Sequence, residues 1–135
     1  MTSAFLIVGA VFVGLAALIH FYIFFLESVA WSKPSTWKLF CLGSQAEADT
    51  VKPMAYNQGF YNVFLAIGAG VGLILVGTGS LEQAGFALAF FAAGSMVLAA
   101  LVLITSSPKL ARSAAIQGVA PLLGILFLAL ALALR

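Results

Sequence analysis

Two groups of residues in this chain have the types and spacing to do chemistry. His20 and Glu27 interrupt a first apolar stretch, and Asn57-Gln58-Gly59-Phe60-Tyr61-Asn62 packs three carboxamides and a phenol at the start of another. An imidazole takes up and releases a proton near neutral pH, and a carboxyl group is a natural partner in general acid–base work. Carboxamides and a phenol can orient a carbonyl or a hydroxyl. Glu27 lies seven positions beyond His20; at 100° each, that projects the two within about 20° of one another, about 10 Å apart along a helix. Phe24 lies between them on the same stripe. In the hexad, Asn57 and Tyr61 share one stripe, and Gln58 and Asn62 share the next.

A third polar residue stands alone further on. Gln117 is followed by Gly118 and, four residues on, by Pro121, whose missing N–H leaves the carbonyl of Gln117 without its helical partner. The candidate set is therefore His20 and Glu27 as proton-transferring groups, with Phe24, Asn57, Gln58, Tyr61, Asn62 and Gln117 as ligand-binding residues. One histidine with one nearby carboxylate makes a poor metal ligand set, so no metal and no cofactor is expected. The lone Cys41 has no neighbour that clearly lowers its pKa and reads as inert.

The elements that hold these residues follow from composition. Of 135 residues, 64% are hydrophobic and 7% charged, against about 25% charged in an ordinary soluble domain. A water-soluble fold of this size could not hide so much apolar surface, so the chain reads as one integral membrane domain, 1–135. A net charge of +2 gives no sign of nucleic-acid binding. The first segment lacks a basic n-region and an obvious cleavage site, and is expected to stay in the mature protein.

A helix needs about 20 apolar residues to span, and four segments qualify: about 3–31, 53–77, 83–105 and 110–134. Strands of alternating polarity are absent, which leaves helices. The connection 32–52 is long and polar; Lys33-Pro34 stops the first helix, and Ser35 or Thr36 is expected to cap a short interfacial helix. Trp31 and Trp37 fit an aromatic belt at headgroup depth. The connections at 78–82 and 106–109 are tight turns, so neighbours run antiparallel. The expectation is an all-α, up-down-up-down bundle of four transmembrane helices. Ala10/Gly14, Gly68/Gly72, Gly85/Ala89/Ala93 and Ala120/Gly124 recur at spacings of four, as close helix packing in lipid requires; a homo-oligomer would use the same residues.

Lys33, Lys38, Lys52, Lys109 and Arg112 fall in or beside the first and third connections. The positive-inside rule then makes 32–52 and 106–109 cytoplasmic and both termini external, in a bacterial inner (plasma) membrane. Counted from the expected helix ends, Glu27 lies about 6 Å, His20 about 16 Å, the hexad about 6–14 Å and Gln117 about 10 Å deep. All the polar residues fall in the cytoplasmic half.

His20-Phe21-Tyr22-Ile23, Leu26-Glu27, the Trp31 that follows and, above all, the NQG-x-YN hexad resemble domain-of-unknown-function family 1304, a family of small bacterial and fungal membrane proteins. Gln117 matches that family's fourth-helix glutamine, and the likeness covers essentially the whole chain. The resemblance implies four spanning helices and membrane location. Some members carry an epimerase label.

Three functions fit the residues. The first is an intramembrane enzyme that binds a small lipophilic molecule and isomerises it by His20/Glu27 proton transfer, in the style of membrane sterol isomerases. The second is a small proton-coupled transporter or ligand-binding membrane protein. The third is a structural subunit whose polar residues only fix helix register. Glu27 also has a plainer reading, snorkelling to Lys33 or Lys38.

Overall fold

A computed structural model describes residues 2–135, and its regular elements are all helical. α1 covers Thr2–Phe24 and runs directly into a π turn over Phe25–Val29. A short α2, Pro34–Trp37, and a 3-10 turn, Lys38–Phe40, lie in the first connection. α3 spans Gln45–Thr78, α4 Glu82–Ser106 and α5 Ala111–Ala133, the last preceded by a 3-10 turn at Pro108–Leu110. Four helical stretches are long and apolar enough to cross a membrane: Ser3–Val29, Gln45–Thr78, Glu82–Ser106 and Pro108–Ala133. The chain is an all-α integral membrane protein, as its composition requires.

The helices close into a ring in which α1 packs on α3 and α5, and α4 packs on the same two. Small residues set the contacts. Gly9 lies against the backbone of Leu128, and Gly124 against Val13; Gly72 meets the backbone of Ala89, and Gly85 that of Val76. Helices in lipid gain little from burying apolar side chains, which lipid solvates equally well, so close backbone approach and dispersion hold them. The core is accordingly rich in alanine: Ala16, Ala69, Ala89 and Ala93 are fully buried beside Val13, Met96 and Leu128. Large apolar residues such as Leu18, Phe91 and Leu98 face outward.

The second spanning helix differs from expectation. It begins at Gln45 and not near Pro53, which lies inside it. Ser44 caps it by accepting the N–H of Glu47 at 3.2 Å, while the Glu47 carboxylate accepts the N–H of Gly43 at 2.8 Å. This variant of the capping box satisfies two donors at the helix start and offsets the backbone bond that Pro53 removes. With 34 residues, α3 is about 50 Å long and outreaches a hydrocarbon core of about 30 Å. Counting about 20 residues back from Thr78 brings the core's edge to the neighbourhood of Gln58. The hexad therefore starts at that edge, shallower than a helix starting at Pro53 implied.

The projecting turns of α3 also explain the tryptophans. Both rings are buried against protein and do not form a belt facing the headgroups. Trp31 Nε1 donates to the carbonyl of Ala48 (2.9 Å), and Trp37 Nε1 to Oε1 of Gln45 (3.1 Å). With Ala48 and Ala55 they form a small core of their own, backed by Phe40, Leu42 and Val51. A buried indole needs an acceptor for its N–H, and α3 supplies both. Neither Ser35 nor Thr36 caps α2; the N-cap is Lys33 in extended geometry, with Pro34 at the first helical position.

The first and third connections share one end of the bundle, where Cys41 Sγ lies 3.9 Å from the carbonyl of Lys109. Lys33, Lys38, Lys52, Lys109 and Arg112 cluster there, so this is the cationic end. At the other end Arg135 pairs with Glu82 and its guanidinium lies 5.2 Å from the Phe86 ring centroid.

Candidate functional site

The π turn positions the carboxyl group. Its defining bond runs from the N–H of Ala30 to the carbonyl of Phe25 at 2.9 Å, one residue longer than an α turn. Glu27 sits at the centre of that turn and is 8% exposed. Its Oε2 accepts from Nδ2 of Asn62 at 2.9 Å, across the α1–α3 interface. The other Nδ2 hydrogen of Asn62 goes to the carbonyl of Gln58, 3.1 Å away and one turn back on its own helix. The carboxamide thus has both donors engaged and holds the carboxylate in one orientation. No bond joins Glu27 to Lys33 or Lys38, so snorkelling toward those cations does not describe it.

Gly59 allows the two helices to approach. A Cβ at that position would lie 2.1 Å from Ser28 Oγ, 3.1 Å from Glu27 Cβ and 3.2 Å from the carbonyl oxygen of Phe24. Ser28 uses the same closeness to donate to the carbonyl of Tyr56 at 2.9 Å. Phe24 packs edge-on against Phe60, centroids 5.2 Å apart, and seals the side of the crossing. Ser28 and Gly59 are the working residues that candidate lists of polar side chains pass over. The signals for them were a glycine at the centre of the hexad and a serine next to Glu27.

His20 lies further along α1, at 1% exposure. Its Nδ1 is 2.9 Å from the carbonyl of Ala16. Since a carbonyl only accepts, Nδ1 is the protonated nitrogen. Nε2 has no partner, the one buried side-chain polar atom so placed among the described residues.

The remaining expected residues separate into two groups. Asn57, Gln58 and Tyr61 face outward from α3, with Tyr61 56% exposed. Gln117 is half-buried on α5, which sits across the ring from α3. The structure thus brings together Glu27, Asn62, Ser28 and Gly59, leaves His20 one helical stretch away, and does not gather the whole hexad around one cavity.

Comparison with known proteins gives one match. The family model described as "Protein of unknown function (DUF1304)" matches residues 14–129, which include His20, Glu27, the hexad and Gln117. No curated protein and no solved structure matches the chain. With most of its length covered by that model, the chain belongs to the DUF1304 family of proteins of unknown function.

Proposed function

We propose that this membrane protein binds a small lipophilic molecule at the polar layer of its bundle and acts on it by proton transfer, with His20 and Glu27 as the transferring groups. One observation supports this above others. Two ionisable side chains of a single spanning helix are both turned away from lipid, and one of them is held by a dedicated carboxamide. Ionisable groups inside a membrane are costly, and a carboxyl group that only needed water would extend toward the headgroups. Glu27 instead lies back against α3.

The reaction class that suits such a pair is isomerisation. A proton removed at one position of the substrate is returned at another, so atoms and electrons balance without a co-reactant. Asn62 orients Glu27 for this role. Asn57, Gln58 and Tyr61, at the hydrocarbon edge on the outer side of α3, suit the path by which a molecule would enter from the bilayer. The cationic end is assigned to the cytoplasm by the positive-inside rule, with both termini outside in a bacterial plasma membrane.

The test is to purify Glu27→Gln, His20→Phe and Asn62→Leu separately, measure unfolding in detergent, and compare the lipids that co-purify with each by mass spectrometry. The expected result is a folded Glu27→Gln bundle that retains a lipophilic molecule, with that molecule absent from His20→Phe. Equal loss of stability in all three, with no difference in co-purified lipid, would instead assign the layer a structural role.

A further inference from the structure

The helix register, carried one heptad on from Val13 and Gly124, brings His20 level with Gln117. Gly9 faces Leu128 and Gly124 faces Val13, so α1 and α5 run antiparallel in matched steps. Seven residues beyond Val13 is His20, and seven before Gly124 is Gln117. Each of these residues has unused hydrogen-bonding capacity. Nε2 of His20 is buried and unpartnered. Pro121 lies within α5 and cannot donate to the carbonyl of Gln117, and the half-buried side-chain amide of Gln117 makes no hydrogen bond. On the α3 side the inward residues past Asn62 are Val63, Ala66 and Ala69, which bring no polar side-chain atom.

We infer that His20 and Gln117 form the recognition site for the hydroxyl group of a lipophilic alcohol, seated between α1 and α5. The chemistry follows from the tautomer. With Nδ1–H engaged by Ala16, Nε2 of a neutral ring is purely an acceptor, so whatever satisfies it in that state must donate. A ketone, a quinone or an ether has no hydrogen to give. A hydroxyl does, and its own lone pairs then accept from the Gln117 amide. A buried water has the same donor and is the occupant that the alcohol hydroxyl would displace. Pro121 leaves α5 without one backbone bond at this point, so the Gln117 carbonyl is a second free acceptor beside the side-chain amide. The inference rests on the proposed function only in taking the polar layer to bind a lipophilic molecule; it does not need Glu27 to transfer a proton.

His20 is the sole histidine in the chain, which makes the test direct. Protein carrying 15N only at histidine, purified with a histidine-free tag and held in nanodiscs, is titrated with hexadecan-1-ol and, separately, with 1-methoxyhexadecane. The alcohol should move the Nε2 resonance to that of a hydrogen-bonded acceptor, and the ether should not. Gln117→Leu should weaken the alcohol response roughly tenfold, the loss of one buried hydrogen bond. An Nε2 signal indifferent to the alcohol overturns the inference, as does an equal response to the ether. So does an Nε2 already hydrogen-bonded before alcohol is added, with that bond lost in Gln117→Leu. Glu27→Gln separates the two readings: it removes a proton-transferring group and leaves His20 and Gln117 in place, so the Nε2 response to hexadecan-1-ol should persist, and its loss in this variant would overturn a hydroxyl site formed by His20 and Gln117 alone.

Discussion

Asn62 donates to Glu27 across 35 residues of sequence, with Nδ2 and Oε2 2.9 Å apart. The bond crosses the α1–α3 interface, so it ties the π turn to the hexad. Asn62→Leu leaves the carboxyl group buried without its donor, and should lower stability by about 1–3 kcal/mol. Glu27→Gln keeps an acceptor for the same N–H and should cost less. A double-mutant cycle in mixed micelles measures the coupling, expected near ~1 kcal/mol for a polar contact between membrane helices.

Gly59 is the position least able to accept a methyl group. Its Cβ would be 2.1 Å from Ser28 Oγ, and Gly59→Ala should destabilise by about 1–3 kcal/mol through overpacking. Adding Ser28→Ala removes the clashing oxygen and should recover part of that loss. Gly94, with nothing within 4 Å, is the control. Gly94→Ala should be neutral or slightly stabilising, by up to ~1 kcal/mol from helix propensity. Thermal unfolding in one detergent compares these three variants with the unsubstituted protein.

Trp31 and Trp37 should be poorly quenched by brominated lipid, because both rings are 5% exposed and packed on α3. Strong quenching from bromines near the headgroups would restore the belt arrangement that their position in the sequence suggests. Ser44→Ala should loosen this same small core by about 1 kcal/mol through the lost cap, read as faster amide exchange at Ala48 and Val51.

Much of the fold was legible because a bilayer imposes it. Four apolar stretches of spanning length and two tight turns leave few arrangements, and the third and fourth helices end within a residue or so of expectation. The apolar run begins near Pro53, eight residues after the true start of α3, because Ser44 and Glu47, which form the cap, sit within a polar stretch that resembles a loop. Among the site residues, periodicity put His20 and Glu27 on one stripe of the first helix, but it set Asn62 beside Gln58 and could not divide the hexad between the two sides of α3. Asn57, Gln58 and Tyr61 face outward because Gly59 and Asn62 define the contacting face, and only the partner helix reveals that.

Cys41 reports sidedness without mutation. It is the sole cysteine and is exposed at the cationic end. A membrane-impermeant maleimide should leave it unlabelled in intact spheroplasts and label it in inverted vesicles. Labelling in spheroplasts would reverse the orientation assigned above.

The π turn has a genetic consequence. It holds one residue more than an α turn, so deleting residue 25 or 26 lets the turn close as a regular α-helix and moves Glu27 back one position, changing the direction in which its carboxyl group points. Such a deletion need remove neither His20 nor Glu27, yet it would separate the carboxyl group from Asn62. The alignment of Glu27 with its donor is thus encoded as a length of chain as well as a choice of side chains. A frame-preserving deletion of one codon there should cost the site more than many substitutions at the same positions.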